Sequence, residues 1–226
     1  MPSISRREFL KLTSAGVVSS IVSCSCASHA TPTSTPKTIP SPTVDTTPTP
    51  EITIPTSILA DKVAYVCGCK PNEHNPGGGG NYTLYIGNYC KNSERFLLHW
   101  DLSGLPEGVK ISTAIMGLYC VEIIGTPSGH LVYAPLLSDW GDTVTYATQP
   151  ENVSQEQVSA EWPVKSQWHK VDITHLVTTW LVNQEKNYGL IGYAVDIQED
   201  TCSALFASIR QNPEDLRPKL TLVYGS

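Results

Sequence analysis

The fold is decided by a segment that reads RFLLHWDLSGLP over residues 95–106. Apolar side chains occupy every second position of this segment, at Phe96, Leu98, Trp100 and Leu102. A period of two is typical of a β-strand that buries one face, so the segment predicts a half-buried strand. The strand should end in the turn-forming run SGLPEG, which separates it from the next apolar run.

Further short apolar runs flank this strand and are separated from one another by turn signals. They predict strands at 61–66, 82–87, 114–120, 131–137, 144–146, 168–173, 188–195, 204–208 and 220–224. A single helix is predicted where Thr174 can cap its first turn and Val177, Trp180 and Leu181 form one apolar stripe. Together these elements predict an all-β fold, an antiparallel and jelly-roll-like β-sandwich with one short helix.

The same segment carries a family resemblance. Its part FLLHWDLS resembles the signature "LLRFDLS-x-LP" of the DNRLRE domains, the disaggregatase-related repeats, which are also described as family 96 carbohydrate-binding modules. Six further motifs follow in family order: AIMGLY, WGDTVTY, VDIT, NYGL, FAS and PKLTLVY. The chain departs from the pattern at His99, where the family prefers Arg or Lys, at Asp142 in place of Glu, and at Tyr146 in place of Trp. The resemblance covers residues 58–225 and implies a non-catalytic domain that binds an extracellular or cell-wall polysaccharide.

Two other classes of function stay open: an envelope adhesion domain that contacts protein, and a polysaccharide hydrolase or lyase. The chain has no Gly-x-Ser-x-Gly elbow, His-Glu-x-x-His motif or phosphate-binding loop, and the glycine run 77–80 predicts a flexible loop. A carboxylate pair for glycoside hydrolysis can be distant in sequence, but Asp101, Asp142 and Asp172 all lie in motifs of structural role. We therefore predict a binding module that is not an enzyme and needs no cofactor.

The first residues predict export. SRREFLK at 5–11 fits the twin-arginine consensus, and the weakly apolar run behind it, of about eleven residues, is too short to cross a membrane. IVSC ends at Cys24 and resembles a lipoprotein signal-peptidase site, while ordinary cleavage after Ala30 is the alternative. We predict a signal peptide over 1–23 and a protein outside the cytoplasm, held at the membrane by lipid on Cys24.

Residues 24–57 predict a disordered stalk. From residue 31 onward the segment is almost entirely Thr, Pro and Ser, with charge at Lys37, Asp45 and Glu51. Such a composition offers too little apolar surface to offset the entropy lost on ordering. The folded domain is accordingly predicted at 58–226.

The charge of the chain excludes one class of partner. The chain has 15 Lys and Arg and 21 Asp and Glu; residues 1–23 hold three and one of these, which leaves 12 basic and 20 acidic residues. Nucleic acid requires a basic footprint for its phosphates, so we predict no nucleic-acid partner.

Five cysteines lie in the predicted domain, namely Cys67, Cys69, Cys90, Cys120 and Cys202. Export favours disulfides, yet an odd number leaves at least one thiol unpaired in a monomer. Cys120 shares a strand face with apolar residues and is predicted to be buried. Cys67 and Cys69 point the same way but lack a second ligand pair, so no metal site is predicted. One or two disulfides, or free thiols, both stay open.

Aromatic rings are the usual platforms for sugars, because a flat apolar ring matches the C–H face of a pyranose. Trp100, Trp140, Trp168 and Trp180 match motif or core positions and are predicted to pack inside. Aromatic residues outside the motifs can also be ordinary exposed residues without a ligand. For His99, the alternative is that it is solvated or packs against neighbouring strands. The predicted carbohydrate-binding residues are Tyr89, Lys91, Arg95, His99 and Trp162.

Overall fold

The computed structural model describes residues 55–76, 80, 82–211 and 213–225. The predicted signal peptide, the lipidation site at Cys24 and nearly all of the predicted stalk lie outside these residues. Within the described ranges, no helix has the length and apolar character that crossing a membrane requires.

The described residues form eleven strands and one α-helix. The strands are β1 (Thr56–Leu59), β2 (Lys62–Cys67), β3 (Thr83–Tyr89), β4 (Asn92–His99), β5 (Lys110–Ile124), β6 (His130–Pro135), β7 (Val158–Ala160), β8 (Trp168–Asp172), β9 (Leu190–Val195), β10 (Cys202–Ala207) and β11 (Lys219–Gly225). The helix α1 covers Thr174–Val182. Strand order is β1-β11-β5-β10-β3-β4-β9-β6-β7, with β2 on β4 and β8 on β5. The predicted all-β fold with one short helix is confirmed, as one curled antiparallel sheet.

Strand β5 joins the two halves of this sheet. Its first part pairs with β11 and β8, and its last residues pair with β10. Both long pairings contain a register shift, which is how a strand of 15 residues bends between two halves.

The main core lies between the two halves and includes side chains from most strands and from α1. Phe96, Leu98 and Trp100 of the decisive segment are fully buried in it, as the alternation predicted. Leu176, Val177 and Trp180 of α1 are buried against the same core, so the helix closes part of the sandwich.

The prediction that β4 is buried on one face alone is wrong. Leu97, on the opposite face, is also fully buried, because residues 137–150 fold over that side of the sheet. The resulting outer cluster consists of Ala64, Val66, Leu97, Ala134, Leu136, Trp140, Val144 and Ile191. The strand predicted at 144–146 is wrong for the same reason: Val144 donates its backbone N–H to Gly141 O at 3.1 Å, in a turn that covers the sheet.

Two short strands were not predicted. β1 pairs with β11 and begins at Thr56, two residues before the predicted domain start at 58. β7 pairs with β6 at the end of the strand order. Strands of three or four residues are too short to display a period, so alternation could not find them.

Thr174 does not cap α1 as predicted, because it is the first helical residue. Asp172, two residues earlier, accepts the backbone N–H of Thr174 at 2.9 Å and its hydroxyl at 2.6 Å. The Thr174 hydroxyl in turn accepts the backbone N–H of Ala114 at 2.9 Å, which ties the helix start to β5. These hydrogen bonds tie Asp172 to the first residue of α1.

Candidate functional site

A row of paired residues crosses the sheet near the β3–β4 hairpin. Gly87 of β3 pairs with Glu94 of β4 on one side and with Ser203 of β10 on the other. Cys67 of β2 extends the row beyond Glu94. Paired residues share a face, so these side chains point the same way.

Gly87 lets the side chains on either side of it meet. Its φ of +141° is a conformation that L side chains rarely adopt, and an added Cβ would lie 2.1 Å from Cys202 O. Because Gly87 has no side chain, the Ser203 hydroxyl reaches the Glu94 carboxylate directly, and it also lies 3.1 Å from the backbone oxygen of Asn88.

Glu94 forms the polar floor of a pocket. It is 5% exposed, and its second carboxylate oxygen accepts the Tyr65 hydroxyl at 2.6 Å. Burial and this hydrogen bond to Glu94 raise the pKa of Tyr65 well above its ordinary value. Tyr65 therefore stays protonated and acts as the donor, which provides the partners that a buried carboxylate needs.

Tyrosine rings form the walls of this pocket. The rings of Tyr65 and Tyr85 have centroids 5.0 Å apart at an angle of 44°, and Tyr89 is 52% exposed at the rim. The pocket encloses about 270 Å³. Its lining, here called the tyrosine pocket, consists of Tyr65, Cys69, Lys70, Pro76, Tyr85, Tyr89, Glu94, Ile124, Thr201 and Ser203.

The segment after β2 closes one side of the tyrosine pocket and is held in two ways. Cys67 and Cys69 form a disulfide. Asn75 accepts the backbone N–H of Tyr65 through its side-chain oxygen at 2.7 Å. Of the alternatives left open for the cysteines, the structure thus has one disulfide. Cys120 is buried as predicted, and burial raises the pKa of its thiol to about 11.

The hairpin turn between β3 and β4 lies beside the pocket and is anchored to the residues that precede β10. Cys90 and Lys91 both have positive φ, the backbone that a two-residue hairpin turn requires. Lys91 donates its backbone N–H to Asp200 O at 2.7 Å, and its side chain pairs with the Asp200 carboxylate at 3.4 Å. These contacts hold the backbone of the turn that follows Tyr89.

The five predicted binding residues do not come together. Tyr89 lies in the tyrosine pocket, and Lys91 follows it on the turn. The other three lie outside the pocket lining, and each has contacts of its own.

Arg95 lies on the opposite face of β4 from Glu94, with its guanidinium 4.9 Å from the Tyr146 ring and 5.6 Å from the Tyr193 ring. His99 Nδ1 lies 2.8 Å from the Asp61 carboxylate, and its Nε2 lies 3.2 Å from Asn187 O. Ligand binding by Arg95 and His99 stays a prediction.

Trp162 packs half-buried against the main core and donates its ring N–H to Ser128 O at 2.9 Å. This contact fixes the ring from within the protein. Its role in binding also stays a prediction.

Tyr65, Tyr85, Glu94 and Ser203 were missed by the analysis of the sequence. One signal was available: Glu94 continues the alternation of Phe96 and Leu98, so it is a carboxylate in a core-facing position. Buried charges require dedicated partners and are a usual mark of a site.

Two larger pockets flank α1, and their linings have fewer aromatic rings than the tyrosine pocket. One, of about 980 Å³, lies between residues 103–111 and the helix, and its described lining holds no aromatic ring. The other, of about 530 Å³, is lined by Trp180, which is 3% exposed, and by the half-buried Tyr188. In the described residues no cluster of three or more His, Cys, Asp or Glu could hold a metal ion.

A concave pocket with aromatic walls and a few placed polar groups is the usual form of a ligand-binding site. The chain matches the family model of carbohydrate-binding module family 96 over residues 56–224. Because the match covers most of the chain, the protein belongs to carbohydrate-binding module family 96, and the predicted resemblance is confirmed. No curated protein matches the chain.

Proposed function

We propose that the protein is a non-catalytic, polysaccharide-binding module that is displayed at the cell surface and bound to the membrane by lipid on Cys24. The observation that carries the binding part is the tyrosine pocket. Tyr85 and Tyr89 offer ring faces to the C–H face of a sugar, while Glu94 offers carboxylate oxygens to its hydroxyls.

The content of the pocket favours binding over hydrolysis. Among its described lining residues, Glu94 supplies the one carboxylate, and both of its oxygens are held by hydroxyl groups of the protein. Glycoside hydrolysis ordinarily needs two carboxyl groups on either side of the scissile bond. A single fixed carboxylate between tyrosine rings can orient a sugar, and this is what we assign to it.

Retention on polysaccharide gels and calorimetry on the purified protein test the proposal. We expect binding with a dissociation constant of about a micromolar to a millimolar, because a small pocket buries little of a hydrated chain. Tyr89→Ala should weaken binding at least about fivefold, since it removes a rim ring. No shortening of the polymer and no release of reducing ends should accompany binding.

The matched control is Tyr82→Ala. Tyr82 is 62% exposed and lies outside the pocket lining, so its removal should leave retention unchanged. Loss of polymer viscosity would instead assign the protein to the hydrolases or lyases. Failure to bind any polymer, with a specific protein partner captured instead, would favour the adhesion function.

The export part rests on the sequence alone and has its own test. Replacing Arg6 and Arg7 by Lys should leave precursor in the cytoplasm, because the export receptor reads the arginine pair. Cys24→Ser should release the protein from the membrane fraction. If Cys24→Ser stays in the membrane at the wild-type level, the anchor is not lipid on that residue.

A further inference from the structure

A disulfide lies in the wall of the tyrosine pocket. Cys67 is paired with Glu94 across β2 and β4, so its side chain points to the face that carries the floor of the pocket. Cys69 is exposed and belongs to the pocket lining. The bond between them therefore joins a residue beside the buried floor to a residue that solvent reaches.

This disulfide contributes little to holding the fold. One residue separates Cys67 from Cys69, and a disulfide constrains the unfolded chain less when the loop that it closes is shorter. The strand β2 is held independently by its pairing with β4, and Gly68 after it donates its backbone N–H to Ser93 O at 2.9 Å. Opening the bond therefore changes the pocket wall rather than the strands.

The two cysteines differ in access. Cys67 is fully buried, whereas Cys69 is exposed. Thiol–disulfide exchange begins when a thiolate attacks a sulfur that it can reach, and the other sulfur of the bond leaves as a thiolate. In this pocket, the sulfur of Cys69 is the one attacked and that of Cys67 is the leaving group.

We infer that the Cys67–Cys69 disulfide is a thiol–disulfide exchange site for a small dithiol, and that its reduction weakens sugar binding in the tyrosine pocket. The inference rests on the proposed function and adds a regulation of the same site. One thiolate of the dithiol bonds to Cys69 as the bond to Cys67 breaks. The second thiol of the dithiol then releases Cys69, the dithiol leaves as a cyclic disulfide, and its two protons end on Cys67 and Cys69.

Reduction alters the pocket because two sulfur atoms that no longer share a bond must move apart. Cys67 is buried beside Glu94, so the movement falls on Cys69 and on Lys70, which follows it in the chain. Both of these residues line the pocket. A wall that must be ordered when the ligand binds costs affinity, whereas a wall that is already fixed does not.

The test measures reduction and binding on the purified protein. Dithiothreitol is added, free thiols are alkylated, and mass spectrometry of the peptides locates the labels. We expect Cys67 and Cys69 to be labelled while circular dichroism stays that of the folded protein. Retention is compared before and after reduction on gels of xylan, mannan, glucan, polygalacturonate and alginate. Affinity for the best-retained polymer should fall at least about fivefold on reduction and return on reoxidation.

Two variants give matched controls. The double replacement of Cys67→Ser and Cys69→Ser should bind as weakly as the reduced protein and should not respond to dithiothreitol. Cys90→Ser removes an exposed free thiol on the neighbouring turn. It should keep both the wild-type affinity and the response to dithiothreitol, because Cys90 takes no part in the disulfide.

The outcomes separate two failures. A disulfide that dithiothreitol leaves intact in the folded protein, a reduction that unfolds the protein, or an unchanged affinity after reduction overturns the inference and leaves the proposed function standing. If the oxidised protein is retained on no polymer, the proposed function fails, and with it the regulation inferred for its site. Because the reductant acts on the wild-type protein, the test holds even if the double variant folds poorly.

Discussion

The tyrosine pocket and the Arg95 cluster lie on opposite faces of one strand and start from adjacent residues. In the pocket, the Glu94 carboxylate lies beneath Tyr65 and Tyr85, and the space above it is open. In the Arg95 cluster, defined by Arg95, Tyr146 and Tyr193, the guanidinium itself covers the two rings. Both regions combine tyrosines with one charge, but it is in the Arg95 cluster that the charged group lies over the rings.

In our proposal, the rings that serve a ligand are those whose faces the protein does not already occupy. The guanidinium of Arg95 satisfies the rings of its cluster through cation–π contacts and fastens the segment that carries Tyr146 over the sheet. The carboxylate of Glu94 has no attraction for a ring face, so it bonds to hydroxyls and leaves the walls free. The sign of the charge therefore separates the proposed binding surface from a structural contact.

The largest expected effect tests whether His99, the last residue of β4, and the adjacent Trp100 point to opposite faces of the sheet. Trp100 is fully buried in the main core, so Trp100→Ala should lower the free energy of unfolding by about 3–5 kcal/mol through lost transfer energy and a cavity. His99 has a side chain that is 22% exposed, and His99→Ala should cost about 1 kcal/mol. Urea denaturation measures both, and equal losses would contradict the assignment of faces.

The next-largest effect concerns a buried nitrogen that has no hydrogen-bond partner. It differs in this from the Glu94 carboxylate, whose oxygens are both hydrogen-bonded. His169 lies against Tyr133 and Phe206, with its Nε2 buried and without a partner, and burial lowers its pKa to about 4. The unfolded chain binds the proton at about 6.5. Stability is therefore fully present above pH 6.5 and falls as the pH drops toward 4, by about 3 kcal/mol.

His169→Gln is the control for this pH effect, because glutamine carries no titrating group. Denaturation midpoints at pH 7 and pH 4.5 should differ less in the variant than in the wild type. An unchanged difference would mean that another group causes the acid sensitivity.

A third effect compares rings on the two faces directly. Tyr85→Ala removes a wall of the tyrosine pocket and should weaken glycan binding by about 1 kcal/mol. Tyr193→Ala removes a ring that Arg95 covers, so the binding constant should not change. Calorimetry with the best-retained polymer distinguishes them, and the reverse order of losses would move the site to the Arg95 cluster.

The smallest effect concerns the cluster itself. Arg95→Ala removes two cation–π contacts at a half-buried position and should lower the free energy of unfolding by about 1 kcal/mol. Glycan affinity should stay within error of the wild type. A clear loss of affinity without a loss of stability would instead support the prediction that Arg95 contacts the ligand.

Much of the fold could be predicted because alternation and turn residues are local signals. The alternation of Phe96, Leu98 and Trp100 indicates a strand, and most of the other predicted strands occur as expected. The cover over Leu97 could not be predicted, because Trp140 and Val144 reach it from a segment more than forty residues away. Such long-range contacts produce no periodic pattern in the sequence.

The site was harder to predict than the fold for the same reason. Tyr89 stood out as an aromatic residue outside the motifs, and it does lie on the pocket rim. The floor depends on a register in which Ser203 and Glu94 meet across Gly87, and that register joins strands more than one hundred residues apart. A single sequence contains the paired residues but does not show which residues of distant strands lie opposite one another.

The most direct test of the central claim is a crystal structure of the protein with an oligosaccharide cut from the best-retained polymer. The account predicts a sugar ring in contact with Tyr85 or Tyr89, with one of its hydroxyl or amino groups within hydrogen-bond distance of the Glu94 carboxylate. A sugar bound at the Arg95 cluster or in the pockets beside α1, with the tyrosine pocket empty, would contradict it.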